Sequence, residues 1–533
     1  MSWLFPDRTP AASLPVYDRR RARRSLFDTI AYRIASQVAT VLGYVVLVRA
    51  LRKEDFGVLS LLYSFIPLVG TLASLGLEQT LRRFQPEYLR LGNAVAAAWL
   101  VKRIAILRFV TNCIVLSVVV LIWKHVAAYF GLAPYRNQFL MFCVLVLLYF
   151  QTQILQLTMA AHMQHRYSVG SVAMLSYGKL ICYSALALAG ALTLRNAILA
   201  DTIAYAAIYV FLRTVYFRQC AGNLSTEGYK PTAEQRKRLI RYGLFNNFND
   251  AGSFFLESRV DNFFIAGFMN AVAVGVYSFY LRLNEMAINL LPSRLFDNII
   301  QPMFFAIKPA EADRRVPQYF TFLVNMNLLV LWPILAFSVA YHSDIVRVLF
   351  AGKFIEHSWL LCVFLGFATL NSFATPVALV AQYEEKAHIL LLSKIFAAYN
   401  VLALFVLVPA LGLYGAALAI GSSQLLKNSF IWWHMRRRAV WVNAASSLGF
   451  SVALWGAVVA LCYGIKMLVV APALVQLLLG LAVCGCAALI YVRGPNLCAS
   501  DRDLLLRLFQ GKEMRLLRLL GLLSPPVSNP GVR

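Results

Sequence analysis

Three ionisable residues stand within five positions of one another in the stretch FLESRVDNFFIAGF, residues 255–268, which otherwise reads as a segment buried in lipid. Glu257, Arg259 and Asp261 each cost about 2.5–3.5 kcal/mol to place near the centre of a bilayer, so such residues face a protein interior or a wet cavity. Read as one helix, Asn247, Asp250, Phe254, Glu257 and Asp261 recur every three or four residues and share a face. That face carries three carboxylates, and burial raises a carboxylate's affinity for protons, so Asp250, Glu257 and Asp261 are candidate binding points for a coupling proton or sodium ion. Arg259 turns about 200° away from Glu257 over two residues and is expected to meet another segment.

The following segment repeats the chemistry with Ser278, Arg282, Glu285 and Asn289 on one face, Glu285 being a fourth candidate for ion coupling. The first apolar segment carries Arg33, Gln37, Thr40 and Tyr44 in the same spacing, and the second supplies Ser64, Pro67, Thr71 and Ser74. These faces together predict a hydrogen-bonding cleft, with Gln37, Thr40, Tyr44, Asn247, Ser278 and Asn289 lining it and Arg33, Arg259 and Arg282 as its cations. The plainer alternative is that Arg259, Asp261, Arg282 and Glu285 are ion pairs clamping neighbouring segments. Lys179, Asp201, Lys394 and Lys427, near segment ends or alone, read as snorkelling side chains.

These residues need membrane-spanning elements to hold them. The chain has 533 residues, 60% hydrophobic and 14% charged, where soluble globular chains carry roughly a quarter charged residues. A span takes about 20 mostly apolar residues, and that length divides the chain into about fourteen spans. They cover 27–48, 57–77, 104–123, 138–160, 169–190, 196–217, 242–268, 273–298, 317–340, 356–381, 388–408, 413–433, 447–467 and 473–492. The fold class is therefore all-α and polytopic.

The net charge of +26 raises nucleic-acid binding, but the Lys and Arg lie almost entirely between the spans, which removes that reading. Every second link is basic: LRRFQPEYLR, QHRYS, EQRKRLIR, IKPAEADRR, YEEKAH and HMRRRA. The positive-inside rule places these links and both termini in the cytoplasm. Residues 1–26 form a basic N-terminal anchor. After the last span Arg507, Gly511, Arg515 and Arg518 share one helical stripe of a basic amphipathic helix on the membrane surface, within a tail at 493–533.

Residues 56–65, FGVLSLLYSF, resemble 274–283, VGVYSFYLRL, pairing Gly57 with Gly275 at an offset of 218, and VYFR ending at Arg218 pairs with WHMR ending at Arg436. Each pair holds the same place in the span order, which describes two parallel six-helix bundles, 27–217 and 242–433, joined by a linker at 218–241 and followed by two further helices at 447–492. That is a transporter plan. No link is long enough for an outer catalytic domain, and no G-x-x-x-x-G-K-[ST] phosphate loop is present, so no enzyme or ATPase is expected. The nine cysteines lack zinc or disulfide spacing and read as small core residues. His162 and His165 of HMQH have a spacing compatible with a metal but stand in a short turn and read as solvated, so no metal is expected.

RALRKEDFGVLSLLYSFIPLVGTLASLGLEQTLRRFQPE, residues 49–87, resembles the first two spans of the polysaccharide and O-antigen flippases. Phe56, Gly57, Leu75, Gly76, Leu77, Arg83, Phe84, Pro86 and Glu87 fit that family's pattern. RVDNFFIAGFMNAVAVGVYSFYLRL is similar to its seventh and eighth spans through Asp261, Gly275, Tyr277, Ser278 and Arg282, and LGLYGAALA resembles its link into span twelve. The resemblance implies the multidrug/oligosaccharidyl-lipid/polysaccharide exporter superfamily, with two six-helix bundles around a central cavity in the inner membrane. It implies alternating-access transfer of an isoprenoid-pyrophosphate-linked oligosaccharide to the outer leaflet. Arg33, Arg259 and Arg282 would then hold the pyrophosphate, since Arg offers planar, multi-donor binding. Membrane lipids, a glycan polymerase and chain-length machinery are the implied partners, without nucleic acid. A lipid II flippase and a drug or cation antiporter of the same superfamily stay open as alternatives, with a membrane glycan polymerase or ligase behind them.

Overall fold

The computed structural model describes residues 19–221, 229–257, 259–295, 300, 301, 304, 305, 307, 309–442 and 444–494. The basic segment 1–18 and the amphipathic tail helix with Arg507, Arg515 and Arg518 lie outside the described residues. Among the described residues the regular elements are helices. The first unit, Met1–Gly275, contains α1 (Arg19–Ala50), α2 (Lys53–Leu72), α3 (Leu77–Arg90), α4 (Ala94–Leu121), α5 (Trp123–Phe130), α6 (Arg136–Ala161), α7 (His165–Leu188), α8 (Leu194–Tyr216), α9 (Ala233–Phe254) and α10 (Asp261–Phe268). Its division from the second unit falls at Gly275, past the linker at 218–241, because α9 packs on α2 and α3, and α10 on α2 and α5.

α11 (Ala271–Ile288) runs across that division. The second unit continues through α12 (Pro292–Leu295), α13 (Ala312–Phe350), α14 (Trp359–Leu370), α15 (Ala374–Tyr383), α16 (Ala387–Leu392), α17 (Phe396–Met435), α18 (Ala444–Leu468) and α19 (Ala473–Arg493).

Eleven helices among the described residues are long and apolar enough to cross a membrane. Their outer faces carry large apolar side chains that no soluble protein would leave uncovered, including Ile114, Ile181, Val210, Leu402 and Val406. The difference from the fourteen expected spans has local causes. The spans at 388–408 and 413–433 fall within a single continuous helical stretch, but α17 turns back at Gly412, which has a positive φ of 58°. The Tyr399 and Ser422 hydroxyls lie 3.2 Å apart, and a Cβ on Gly415 would sit 1.9 Å from the Leu407 carbonyl, so the two legs run antiparallel.

The segments at 242–268 and 273–298 are not among the eleven: each is interrupted, and its longest helix, α9 or α11, is long enough to span but too polar. α9 ends at Phe254 and α10 begins at Asp261. Between them the backbone makes short-range bonds, Glu257 N–H to the Phe254 carbonyl (2.9 Å), Val260 to Glu257 (3.0 Å) and Phe263 to Val260 (3.0 Å). The continuous stripe from Asn247 through Asp250 and Glu257 to Asp261 therefore does not form. A straight helix would send Arg259 away from Glu257; the break lets both line one cavity, which is where irregular backbone is tolerated at membrane depth.

Two backbone crossings fix the first unit. α2 ends in an elbow where Leu75 and Gly76 both have positive φ, 45° and 67°. A Cβ on Gly76 would meet the Gly243 carbonyl of α9 at 1.8 Å, so α9 lies directly on the elbow. At the other end of α2, the two glycines matched by the internal repeat touch: a Cβ on Gly275 would sit 3.0 Å from the Gly57 Cα. α4 seals the elbow, Thr111 donating to the Ala73 carbonyl at 2.9 Å, and α3, α4, α6 and α8 share an apolar core that includes Leu81, Phe84, Leu100, Ile154 and Leu212.

In the second unit α13 departs from helical geometry at Tyr341, and α18 meets it there. Lys466 binds Asp344 (2.6 Å) and the Ala340 carbonyl (3.1 Å), and Tyr463 donates to the Val339 carbonyl (3.0 Å). α18 thus satisfies two carbonyls beside this kink.

Gly92 also has a positive φ, 72°, but nothing lies within 4 Å of a Cβ added there. Gly92→Ala should therefore cost only the backbone strain of about 1–2 kcal/mol, while Gly76→Ala adds the collision with α9. In a thermal-unfolding measurement on purified protein, Gly76→Ala is expected to lower the melting temperature well beyond Gly92→Ala, and equal shifts would contradict the crossing.

Candidate functional site

α1 brings Arg33 and, almost one turn on, Ser36 to a cavity of about 280 Å³ in the first unit. α3 contributes Glu78 and Arg82, four residues apart on one face, and α6 contributes Gln153 and Gln156, three apart on one face. The cavity thus holds two guanidinium groups, one carboxylate and two amides. A second cavity of about 350 Å³ is lined by Pro67 and Gly70 of α2, Tyr149, Phe150 and Gln153 of α6, and Glu257 and Arg259 of the break between α9 and α10. Gln153 belongs to both cavities and donates to the Tyr149 hydroxyl at 2.9 Å. Pro67 in α2 cannot donate to the carbonyl four residues before it, which loosens the helix where it borders the second cavity.

Arg33, Glu257 and Arg259 therefore reach these cavities. Asp261 is fully buried at the first position of α10, and its neighbour Asn262 donates to the Ser64 hydroxyl at 2.7 Å. Thr40 does not line either cavity: its hydroxyl is shared between the Ser36 carbonyl (2.7 Å) and Ser176 of α7 (3.1 Å), where it joins two helices. Tyr44 lays its ring against Phe56, and Gln37 is half-buried on α1 outside both cavities. Asn247 is half-buried on α9, while the side chain of Asp250 lies outside the described residues. In the second unit Arg282 and Glu285 pair at 2.8 Å on α11, so each is partnered by the other. Ser278 is half-buried on the same helix, and Asn289 is exposed just past its end.

Arg82, Glu78, Gln153, Gln156 and Tyr149 were not among the sequence candidates. Nor was Arg108, which sits inside α4 with 1% of its surface exposed and pairs with Glu78 at 3.2 Å. Lys179 and Asp201 do not snorkel independently. They pair at 3.1 Å, and Asp201 also accepts hydrogen bonds from the hydroxyls of Tyr183 (2.5 Å) and Tyr63. This network ties α2, α7 and α8 together with Asp201 1% exposed.

Among the described residues no group of three His, Cys, Asp or Glu could hold a metal ion. In the HMQH turn burial pushes His162 down to about 4, so its imidazole is neutral at pH 7.

Residues 46–359, more than half of the chain, match the family described as polysaccharide biosynthesis protein. The chain belongs to this family. It is 21% identical over 442 residues, 83% of its own length and 89% of the relative's, to a probable low-salt glycan biosynthesis flippase, Agl15, of Haloferax volcanii. Its fold resembles that of the lipid II flippase MurJ in an inward closed conformation, with a TM-score of 0.67 at 10% identity, covering 87% of this chain and 99% of that one. A multidrug resistance MATE transporter of the MOP superfamily in an inward-facing conformation gives a TM-score of 0.63 at 14% identity, covering 78% and 99%. The protein is a multi-pass membrane protein of this polysaccharide biosynthesis family, with a fold shared with these flippase and exporter structures.

The Lys179–Asp201 pair gives a direct test of the network. Removing one partner of a buried ion pair costs about 3–5 kcal/mol, whereas removing both leaves no uncompensated charge. Lys179→Met is expected to lower the melting temperature strongly and Lys179→Met/Asp201→Asn to recover part of the loss; a double variant no more stable than the single one would dissolve the pair.

Proposed function

We propose that the chain moves an isoprenoid-pyrophosphate-linked oligosaccharide from the cytoplasmic to the outer leaflet of the inner membrane by alternating access, with both termini in the cytoplasm. The observation that carries this reading is the pairing of arginines with amides in adjoining cavities: Arg33 and Arg82 with Gln153 and Gln156, then Gln153 with Arg259. A pyrophosphate takes charge-assisted hydrogen bonds from guanidinium groups, and a sugar takes neutral donors and acceptors. The family's description as polysaccharide biosynthesis and the glycan flippase relative agree with such a cargo.

An organic-cation exporter would need the opposite balance, carboxylates and aromatic faces without a surplus of guanidinium. Lipid II carries the same pyrophosphate and remains the second reading on the chemistry of the headgroup. With the inside negative, outward movement of the anion is favoured by about 2.3 kcal/mol per charge per 100 mV, so stripping water from the sugar is the larger barrier. The amide-lined cavities would replace that water. Resetting of the carrier falls to a proton or sodium ion, and among the described side chains Asp261 is the candidate with the most complete burial. The product would be taken up at the outer face by polymerase and chain-length machinery.

The test is a leaflet-resolved assay of lipid-linked oligosaccharide in cells lacking the protein and any second flippase. Accumulation on the inner leaflet supports the reading, and an unchanged distribution overturns it. Each lost charge-assisted contact is worth about 1.5–3 kcal/mol, so Arg33→Gln, Arg82→Gln and Arg259→Gln should each lower translocation by roughly ten-fold or more at equal protein levels. Rescue of a strain blocked in peptidoglycan precursor transfer, without effect on oligosaccharide, would select lipid II instead.

A further inference from the structure

Glu78 is out of place in a cavity that would receive an anion. It lines the first cavity beside Arg33 and Arg82, and its side chain is 24% exposed. Its Oε1 is nevertheless sealed from solvent and faces Arg108 Nη2 at 3.2 Å, so the accessible side of the carboxylate is Oε2. Arg108 enters from α4 behind both cavities. The same Nη2 donates to the Gly70 carbonyl at 3.1 Å, and the guanidinium lies 4.2 Å from the centre of the Phe150 ring. Gly70 and Phe150 line the second cavity. The Gly70 carbonyl is available because α2 ends there: Ala73 N–H goes to Val69 and Ser74 N–H to Thr71.

The neighbouring amide is oriented by its own partners. Ser171 spends its hydroxyl proton on the Ser168 carbonyl at 2.8 Å, so it must accept from Gln156 Nε2 at 3.0 Å. One N–H of Gln156 is thereby spent on Ser171, which fixes the amide and leaves its carbonyl oxygen, with the second N–H, for the cavity. One face of the cavity thus offers two acceptors, Glu78 Oε2 and the Gln156 oxygen, next to the cations.

We propose that Glu78 is a specificity-determining residue that accepts hydroxyl protons from the sugar joined to the pyrophosphate, and that Arg108 is its positioning residue. Arg108 cancels the charge of Glu78 from behind, so the carboxylate keeps its strength as an acceptor without repelling the phosphates. The position of Glu78 in the first turn of α3, where the helix dipole favours an anion, adds to the same compensation. A bare isoprenoid pyrophosphate has no hydroxyl to give these acceptors, so the site separates loaded from unloaded carrier. This inference rests on the pyrophosphate reading of the cavity.

The experiment measures binding of two probes to the full-length protein in lipid nanodiscs: geranylgeranyl pyrophosphate, and the same lipid carrying N-acetylglucosamine on its pyrophosphate. The wild type is expected to prefer the sugar-bearing probe by about ten-fold, the scale of a hydrogen bond to a charged group. Glu78→Gln should abolish most of that preference: the unpaired Arg108 cation it leaves acts on both pyrophosphates alike, so the ratio of the two affinities is the readout. Arg108→Met, which leaves the carboxylate uncompensated, should weaken both probes by about ten-fold or more. Arg108→Met/Glu78→Gln should restore the bare probe to near its wild-type affinity without restoring the preference for the sugar-bearing probe, whereas a pair that serves packing alone would regain the preference together with the fold. A preference retained in Glu78→Gln overturns the assignment of Glu78, and that single variant keeps the proposal falsifiable should Arg108→Met fail to fold. A double variant as weak as Arg108→Met overturns the role of Arg108. Binding of neither probe by the wild type removes the pyrophosphate reading, and this inference with it, whereas equal binding of both removes this inference alone.

Discussion

Lipid offers no hydrogen bond to a stranded backbone group and no hydration to a charge, so everything polar at membrane depth in this chain has to be housed by other parts of the chain. The arrangement of the first unit follows from that requirement. Arg108 is held by Glu78, the Gly70 carbonyl and the Phe150 ring; Asp201 by Lys179 and two tyrosines; the break between α9 and α10 by the cavity that Glu257 and Arg259 line. Each of these draws on α2, which is why that helix carries a proline, a positive-φ elbow and a backbone crossing at each end.

The same requirement separates two kinds of charge. Asp201 and Lys179 neutralise one another inside packed helices, and their contribution is to hold those helices together. Arg33, Arg82 and Arg259 border space. The proposed role for Glu78 and Arg108 lies between the two kinds, since one end of the pair is sealed in the wall and the other faces the cavity. A carrier that must seize an anion and release it again gains from such intermediate groups, because selectivity added through neutral contacts does not deepen the electrostatic trap.

The all-α, polytopic fold class was legible because it rests on many residues. The length of apolar runs, the basic links and the matched glycines agree with one another over the whole chain. The break at 255–260 was not legible: Asn247, Phe254, Glu257 and Asp261 continue the helical period straight through it, without a proline to mark it. The decision is tertiary, since only the shared cavity rewards turning Arg259 toward Glu257. Arg108 carries the same signal as Arg33, a lone charge in an apolar run, but a single charge states no direction and its partners are distant in sequence. Gln153 and Gln156 are quieter still, because amides are common and cheap enough in spans to give no contrast. Thr40 and Tyr44 fell on the expected face of α1 and serve its packing instead, a distinction that depends on which helix lies opposite.

The broken segment also bears on how the protein enters the membrane. Glu257, Arg259 and Asp261 make it a poor candidate to leave the translocon for lipid alone. The groups that surround its charges, Pro67 and Gly70 on α2 and Tyr149 and Gln153 on α6, are synthesised well before it emerges. The first unit closes at Gly275, so its receiving surface is complete within the same stretch of chain. Insertion of the most polar span is thus posed as docking onto helices already in place, and the order of the chain supplies the host before the guest.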